Sequence, residues 1–262
     1  MAGGTAGVLV RDWRVRRHRS QMDLALEVGV SPRHLSFVET GRSRASPELL
    51  VALAEHLEVP LRERNGLLVA GGYAPRYPRT SLDAPEMARV RHTLQQVLEG
   101  HDPYPGVVID RYWNVVLANG GAAALLEGLP DHVAGPTPNV FRVSLHPDGL
   151  ARRILNFDQW STYLLGQLHR AALLTGDAEF EWLVEEVSGY PNLADAGEWR
   201  LKAAEADPEI LVPMRLAVGA EELSLFTTLT VFGTPQDVTL AELAVELFYP
   251  ADDHSQELLR RQ

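Results

Sequence analysis

The sequence contains no cysteine, which excludes a disulfide framework, a thiol nucleophile and a cysteine zinc site. No uncharged run reaches the ~18 residues that a membrane-spanning helix needs, so no membrane partner is expected. The signature motifs of zinc proteases, serine hydrolases, dinucleotide-binding enzymes and P-loop NTPases are also missing. The nine histidines are scattered without a metal-ligand spacing, so neither a metal site nor a catalytic residue is predicted. Together these absences favour a cytoplasmic binding protein over an enzyme.

Charge is distributed unevenly along the chain. The formal net charge is -11, yet residues 1–72 contain ten arginines and eight acids and so carry a net charge of +2. The remaining residues therefore carry -13. A mildly basic first part followed by a strongly acidic second part indicates that only the first part meets a polyanion, unless the charges are placed by chance.

Five short helices are predicted within residues 8–72, each opened by a start signal. Ser20 stands three residues before Asp23, the spacing of a capping box. Ser31-Pro32 and Ser46-Pro47 each combine a capping serine with a proline at the first helical position. Gly29 ends the second helix, because glycine accepts a left-handed backbone at little cost. Helices two and three, separated by this short turn, therefore form a helix-turn-helix.

The third of these helices carries side chains suited to reading DNA. Arg33 and His34 are hydrogen-bond donors and Phe37 is an apolar contact group, which together match the requirements of base-edge recognition. Arg42 and Arg44 follow the helix, where they are placed to hold phosphates, and Gln21 opens the preceding helix near the duplex backbone.

The first part of the chain resembles the five-helix DNA-binding domain of xenobiotic-response-element-type, or lambda-repressor-like, regulators. The resemblance lies in the Ser20-Gln21 opening, the GVS turn, the LS-x-x-E-x-GR signature from Leu35 to Arg42, and the later L-x-x-LAE-x-L-x-VP. It implies a structural role for Glu39 and shifts specificity away from Pro32, where relatives often have a polar base reader. The DNA-contacting positions that it implies are Gln21, Ser31, Pro32, Arg33, His34, Phe37, Arg42, Ser43 and Arg44. The alternative is a helical protein-interaction module of the same shape.

The second part reads as an α+β domain over residues 86–262. The proline-rich residues 73–85 before it form either a connector or a loop packed on this domain. Helices are predicted at 86–99, 122–126, 149–175 and around 180–187, with a last one after Asp252. Strands are predicted at 107–109, 115–117, 210–218, 223–232 and 243–250. The order indicates a mixed or antiparallel sheet covered by helices on one side.

This order resembles the sensor domain of the MmyB-like transcription regulators, a PAS-type fold attached to a DNA-binding head of the same kind. The residues that carry the resemblance are YPGVVIDRYWNVVLAN, LHPDGLARRILNFDQW and the segment from Leu225 to Asp252. The resemblance implies an apolar pocket that holds a small molecule, in some relatives a fatty acid. Here the pocket is expected between the strands at 107–117, 211–218 and 224–232 and the helix through Trp160.

The same segments contain candidate ligand contacts. Each candidate also has an interpretation that needs no ligand. Trp113 and Trp160 line either the pocket or the core, and His146 either contacts the ligand or starts a helix. The polar groups of Asn119 and Asn156 bind either ligand or backbone. For the polar end of a ligand the candidate donors are Asn119, Asn156, Trp160 and the arginines at 152–153.

The predicted function is that of a sequence-specific regulator of transcription with a ligand-sensing second domain. One small head offers few contacts, so a homodimer on an inverted repeat of double-stranded DNA is expected. No cofactor is expected, and a bound fatty acid is a candidate effector. Two alternatives remain at this point: a regulator whose second domain only dimerises or binds a partner protein, and an enzyme with an accessory DNA-binding head.

Overall fold

The computed structural model of the chain describes residues 5–193 and 211–261. The chain forms two compact units, which are described separately: Met1–Ser81 with Gly233–Ala241, and Leu82–Phe232 with Glu242–Gln262. Within the described residues, no helix combines the length and the apolar character needed to cross a membrane.

The first unit contains the five helices that the start signals predict. They are α1 (Ala6–Arg16), α2 (Gln21–Val28), α3 (Pro32–Glu39), α4 (Pro47–His56) and α5 (Leu61–Ala70). Ser20, Ser31 and Ser46 each accept a hydrogen bond from the backbone N–H three residues later, at 3.1–3.2 Å. Gly29 closes α2 in the left-handed region with φ 76°. The predicted helix-turn-helix is therefore confirmed, with α2 and α3 packed on a leucine-rich core.

Helices α1 and α3 approach each other closely at Gly7. A Cβ added to this residue would lie 1.9 Å from the carbonyl oxygen of Val38, far inside any van der Waals contact. The obstacle is backbone, which cannot move aside without displacing α3. Glycine is therefore required at position 7 by packing and not by its backbone conformation.

We expect Gly7→Ala to destabilise the first unit by about 1–3 kcal/mol, because the added methyl group forces α1 away from α3. The matched control is Gly66→Ala in α5, where a new Cβ meets nothing within 4 Å. This control should leave stability unchanged or raise it by about 0.5–1 kcal/mol. Hydrogen exchange of the amides of α1 to α5 in the full-length chain measures both changes. Equal protection in the two variants would contradict the close contact.

The segment after α5 is bound to the first unit over part of its length. The side-chain oxygen of Asn65 accepts hydrogen bonds from the backbone N–H of Arg76 and Tyr77, both at 3.0 Å. Asp237 accepts from the N–H of Thr80 at 3.0 Å, and the N–H of Val238 donates to the carbonyl of Pro78 at 2.8 Å. The sequence predicts either a connector or a loop packed on the second domain for residues 73–85, and no sequence pattern predicts their contact with residues 233–241.

The second unit is built on a five-stranded antiparallel sheet. Its strands are β1 (Gly106–Ile109), β2 (Val115–Ala118), β3 (Met214–Val218), β4 (Glu221–Val231) and β5 (Ala244–Pro250), in the order β2-β1-β5-β4-β3. The last strand in sequence thus lies at the centre, between β1 and β4. All four residues of β1 are buried, so both faces of the sheet are covered at this strand. The sequence pattern predicts a cover on one face only.

The helices of the second unit confirm the α+β class and differ from the predictions in detail. They are α6 (Ala88–Glu99), α7 (Gly120–Leu126), α8 (Asp131–Ala134), α9 (Val140–Leu145), α10 (Phe157–Thr175), α11 (Ala178–Ser188) and α13 (Asp253–Arg260). The short helix α12 (Val238–Glu242) lies almost wholly in the Gly233–Ala241 segment of the first unit. The helix predicted from residue 149 begins only at Phe157, because Leu150–Arg152 forms a separate 3-10 turn. Helices α8, α9 and α12 were not predicted, since each is at most six residues long and gives little periodic signal. Ile210, placed in a strand by its pattern, lies outside the described residues.

Candidate DNA-binding face and ligand cavity

Helix α3 presents an exposed surface at its start and along one side. Ser31, Pro32 and Arg33 are exposed, while His34 and Phe37 are half-buried. On the other side Leu35 and Val38 are buried in the core, which fixes the orientation of the helix. The structure thus brings these predicted DNA contacts onto one continuous face.

The Phe37 ring lies close to the side chains of two arginines. The guanidinium carbon of Arg33 lies 5.3 Å and that of Arg42 lies 6.0 Å from the centroid of the Phe37 ring. The Phe37 carbonyl also accepts the backbone N–H groups of Arg42 and Ser43, at 2.8 and 3.0 Å. In the described part of the chain neither Arg33 nor Arg42 is paired with a carboxylate. Two uncompensated positive charges are therefore held beside α3.

Gln21 and Glu39 belong to a buried polar cluster beneath this face. The guanidinium of Arg14 donates to both carboxylate oxygens of Glu39, at 2.7 and 2.9 Å. The Gln21 side chain donates to Glu39 at 2.6 Å, so its amide group is partly occupied within the protein. The Glu39 side chain is fully buried. The structural role that the resemblance implied for Glu39 has its physical basis in this cluster.

Arg44 folds back onto the first unit. Its guanidinium donates to the carbonyl of Gly71 at 2.8 Å and lies 5.0 Å from the centroid of the Tyr73 ring. The Tyr73 hydroxyl in turn donates to the carbonyl of Ala45 at 2.8 Å. Arg44 thus ties the loop after α3 to the end of α5, and its charge remains exposed.

The second unit contains an apolar cavity between the sheet and its helices. Its wall is formed by β1, β2, β3 and β5 together with α7, α9 and the start of α10. The prediction named the strand at 224–232 as part of this wall; β5 takes that place, because it is the strand next to β1. Apart from Ser144, Tyr163, Glu246 and two tryptophans, the wall consists of apolar side chains.

The cavity has a volume of about 70 Å³. On the same measure one water molecule needs about 10–15 Å³, so the space corresponds to about five waters. A short apolar group fits this volume, and a longer chain requires the walls to move apart.

Trp113 and Trp160, both predicted ligand contacts, line this cavity. Trp113 has a positive φ of 66°, a conformation that is unusual for a bulky residue. The preceding turn holds it there, because one Asp110 oxygen accepts the N–H groups of Tyr112 and Asn114, both at 2.9 Å. Trp160 lies in the first turn of α10 and is buried.

Asn119 and Asn156 are not in the cavity wall, and their amide groups are bonded to the backbone. Asn119 accepts from the N–H of Gly106 and donates to the carbonyls of Leu98 and Tyr104. Asn156 donates to the carbonyl of Pro213 at 2.8 Å and accepts from an N–H of β3 at 3.0 Å. Of the two interpretations, ligand contact or backbone contact, the observed bonds of both residues match backbone contact.

The arginines at 152–153 are also absent from the wall. Arg152 donates to Asp148 at 2.7 Å, and Arg153 donates to the carbonyls of Leu125 and Ala217. Of the five candidate donors for a ligand's polar end, only Trp160 therefore lines the cavity.

His146 lies away from the cavity in a cluster with His132 and Asp148. Its Nδ1 accepts the N–H of Asp148 at 3.0 Å, and its ring meets the edge of Tyr190. Within the described ranges these are the three donors close enough to hold a metal ion, all within 4.8 Å of one another. These residues also hydrogen-bond one another, with His132 Nε2 at 3.2 Å from Asp148.

Glu246 is the cavity residue that the sequence interpretation missed. It lies in β5 opposite Val107 of β1 and is buried, with one carboxyl oxygen hydrogen-bonded to Thr227. Burial raises the pKa of Glu246 to about 7. The signal available in the sequence was a single acid within the apolar strand LAVELFYP.

Comparison with protein families matches both units. The family model of the MmyB-like transcription regulator ligand binding domain matches residues 90–261, well over half of the chain. A helix-turn-helix family model matches residues 10–64. Both describe regulatory domains and neither describes an enzyme. No curated protein matches the chain.

Proposed function

Because the chain belongs to the MmyB-like transcription regulators, we propose that its second unit binds an apolar small molecule and thereby changes the DNA affinity of the first unit. The observation that carries the proposal is the apolar cavity enclosed by sheet and helices. An enclosed apolar space with few polar groups is the usual form of a small-molecule site. The five-stranded antiparallel sheet around it supports a PAS-like description of the unit.

An acyl chain, such as that of a fatty acid, is the ligand body that suits this wall. Each methylene removed from water contributes about 0.8 kcal/mol and needs no hydrogen-bond partner. Because the cavity measures about 70 Å³, a chain longer than a few carbons must displace part of the wall. Such displacement supplies the difference between free and bound states that regulation requires.

The DNA contacts are proposed for the face around α3. Arg33, His34 and Phe37 read base edges, while Arg42, Ser43 and Arg44 contact phosphates. Ser31, Pro32 and Gln21 complete the surface at the starts of α3 and α2. The partner is double-stranded DNA, which also implies a cytoplasmic location for the regulator.

The chain runs directly from a segment of the first unit into a strand of the cavity wall. Strand β5 carries Glu246 and Phe248 in the cavity wall, and the segment just before it, Gly233–Ala241, belongs to the first unit. Asp237 in this segment is buried and binds the N–H of Thr80. A ligand that displaces β5 therefore acts on a segment that is bonded to the DNA-binding unit.

We expect native mass spectrometry of the purified full-length protein to show a homodimer, which is the form that reads an inverted repeat. The same spectrum should show an excess mass that is lost on denaturation, if an apolar ligand is retained from the expression host. A dimer that carries no ligand and also fails to bind added acyl compounds would favour a second unit that only dimerises or binds a partner protein. A monomer in the presence of operator DNA would contradict the inverted-repeat proposal.

A further inference from the structure

Among the residues that the structure describes, two in the cavity wall each have a buried polar atom without a hydrogen-bond partner. These atoms are the indole nitrogen Nε1 of Trp160 and the carboxyl oxygen Oε2 of Glu246. Trp160 is 4% exposed and Glu246 is 6% exposed, so water in the bulk solvent does not satisfy either of them. Nearly all buried polar atoms in native proteins have a partner. Two exceptions in the wall of one cavity indicate that the partner is a ligand in that cavity.

The position of Glu246 in the sheet explains why one of its carboxyl oxygens has no hydrogen-bond partner. Glu246 is paired with Val107 on one side and Leu229 on the other, and neither side chain offers a donor. The Thr227 hydroxyl hydrogen-bonds the carboxyl group once. The second oxygen, Oε2, has no neighbour in the described residues that can donate to it.

The hydrogen-bonding chemistry of the two atoms restricts which ligand group can bind to both of them. An indole N–H only donates, and an ionised carboxylate only accepts. A ligand carboxylate cannot donate to Glu246, and an ammonium group cannot accept from Trp160. A hydroxyl or a primary amide does both.

We propose that the cavity selects ligands with an apolar chain and an uncharged donor–acceptor end, such as a long-chain alcohol or primary amide, held between Trp160 Nε1 and Glu246 Oε2. This inference rests on the proposed ligand-binding function and names the class of ligand. It differs from the fatty acid suggested by the resemblance in the charge of the polar end.

The environment of Glu246 adds a dependence on pH. The elements around it present Val107 from β1, Thr227 and Leu229 from β4, and apolar residues from α7, and none of these carries a charge. Helix α9 contributes Ser144, and α10 contributes Tyr163 as the other titratable group in the wall. Burial raises the pKa of Glu246 to about 7, so the carboxyl is protonated below that pH and ionised above it. A carboxylate ligand is therefore accepted at low pH, where Glu246 donates, and repelled at high pH.

The test compares 1-decanol with decanoate on the full-length protein at pH 6.0 and pH 8.5, followed by calorimetry or by tryptophan fluorescence. We expect the dissociation constant of decanol to differ by less than about threefold between the two pH values, because a hydroxyl pairs with either form of Glu246. Decanoate should bind about tenfold or more weakly at pH 8.5, where both carboxyl groups are ionised.

Three variants identify the atoms. Glu246→Gln retains a donor at both pH values, so decanoate binding should lose its pH dependence. Trp160→Phe keeps an aromatic ring but removes the N–H, and should weaken decanol binding about fivefold to tenfold. The control is Trp182→Phe in α11, which makes the same change at an exposed residue outside the cavity wall and should not affect either probe.

The outcomes separate this inference from the function on which it rests. If both probes bind with the same affinity at both pH values and Glu246→Gln changes nothing, the assignment of the polar end is overturned while ligand binding stands. If neither probe binds the wild-type protein at either pH, the ligand-binding function itself is overturned.

Discussion

Replacing Glu39 with alanine is expected to destabilise the first unit by about 3–5 kcal/mol. The Glu39 side chain is fully buried and that of Arg14 is 11% exposed, so their ion pair is shielded from solvent. Removing the carboxylate leaves the guanidinium of Arg14 buried, with a hydrogen bond to the carbonyl of Arg19 but without a counter-charge. The same change releases the Gln21 amide. Hydrogen exchange of α1 to α3 in the full-length chain measures the loss, and operator binding should fall with it.

Two comparison variants test the physical reason for this effect. Glu55→Ala removes an acid from the same unit, but Glu55 is 57% exposed and lies 3.6 Å from Arg64, so a loss below about 1 kcal/mol is expected. The double variant Arg14→Met with Glu39→Met removes both charges and should recover much of the stability lost in Glu39→Ala. Similar losses for Glu39→Ala and Glu55→Ala would show that burial of the pair is not the cause.

Arg33→Ala is expected to cost about 1–3 kcal/mol of binding free energy on the selected operator and to relax its sequence preference. Arg33 is exposed, lies against the Phe37 ring and has no carboxylate partner among the described residues, so its guanidinium is available to a base edge. Fluorescence anisotropy at several salt concentrations gives the affinity for operator and for random DNA. The loss should be larger on operator than on random DNA.

Arg44 and Arg89 provide the comparison for Arg33. Arg44→Ala should weaken operator and random DNA about equally and flatten the salt dependence, because a phosphate contact carries no sequence information. Arg89 is exposed at the start of α6 in the acidic second unit, and Arg89→Ala should leave both affinities unchanged. Wild-type operator affinity in Arg33→Ala would exclude α3 as the reading helix.

The first unit was predictable because its signals are local. Each serine cap and the glycine at position 29 act within a few residues, and the structure has the corresponding hydrogen bonds and left-handed turn. The close approach at Gly7 was not predictable, because the partner, Val38, is distant in sequence. Contacts of that kind depend on how helices pack, and they produce no periodic pattern in the amino-acid sequence.

The second unit was predictable in its class but not in the details that define the cavity. Strand patterns located all five strands of the described sheet, with β3 shorter than predicted, but nothing in them shows that β5 inserts between β1 and β4. That insertion places Glu246 in the wall and removes β4 from it. Asn119 and Asn156 were attractive as ligand contacts because buried amides need partners, and those partners are backbone groups from distant segments.

The most direct test of the account is the operator affinity of the full-length protein with and without saturating 1-decanol, for wild type and for Trp160→Phe. An allosteric coupling of about 1–3 kcal/mol predicts a change of fivefold or more in the dissociation constant of wild type. In Trp160→Phe the same change should require a higher decanol concentration, because the ligand loses a hydrogen bond while the coupling remains. An operator dissociation constant that stays the same while decanol occupies the cavity would contradict the account, because ligand binding would then be separate from regulation.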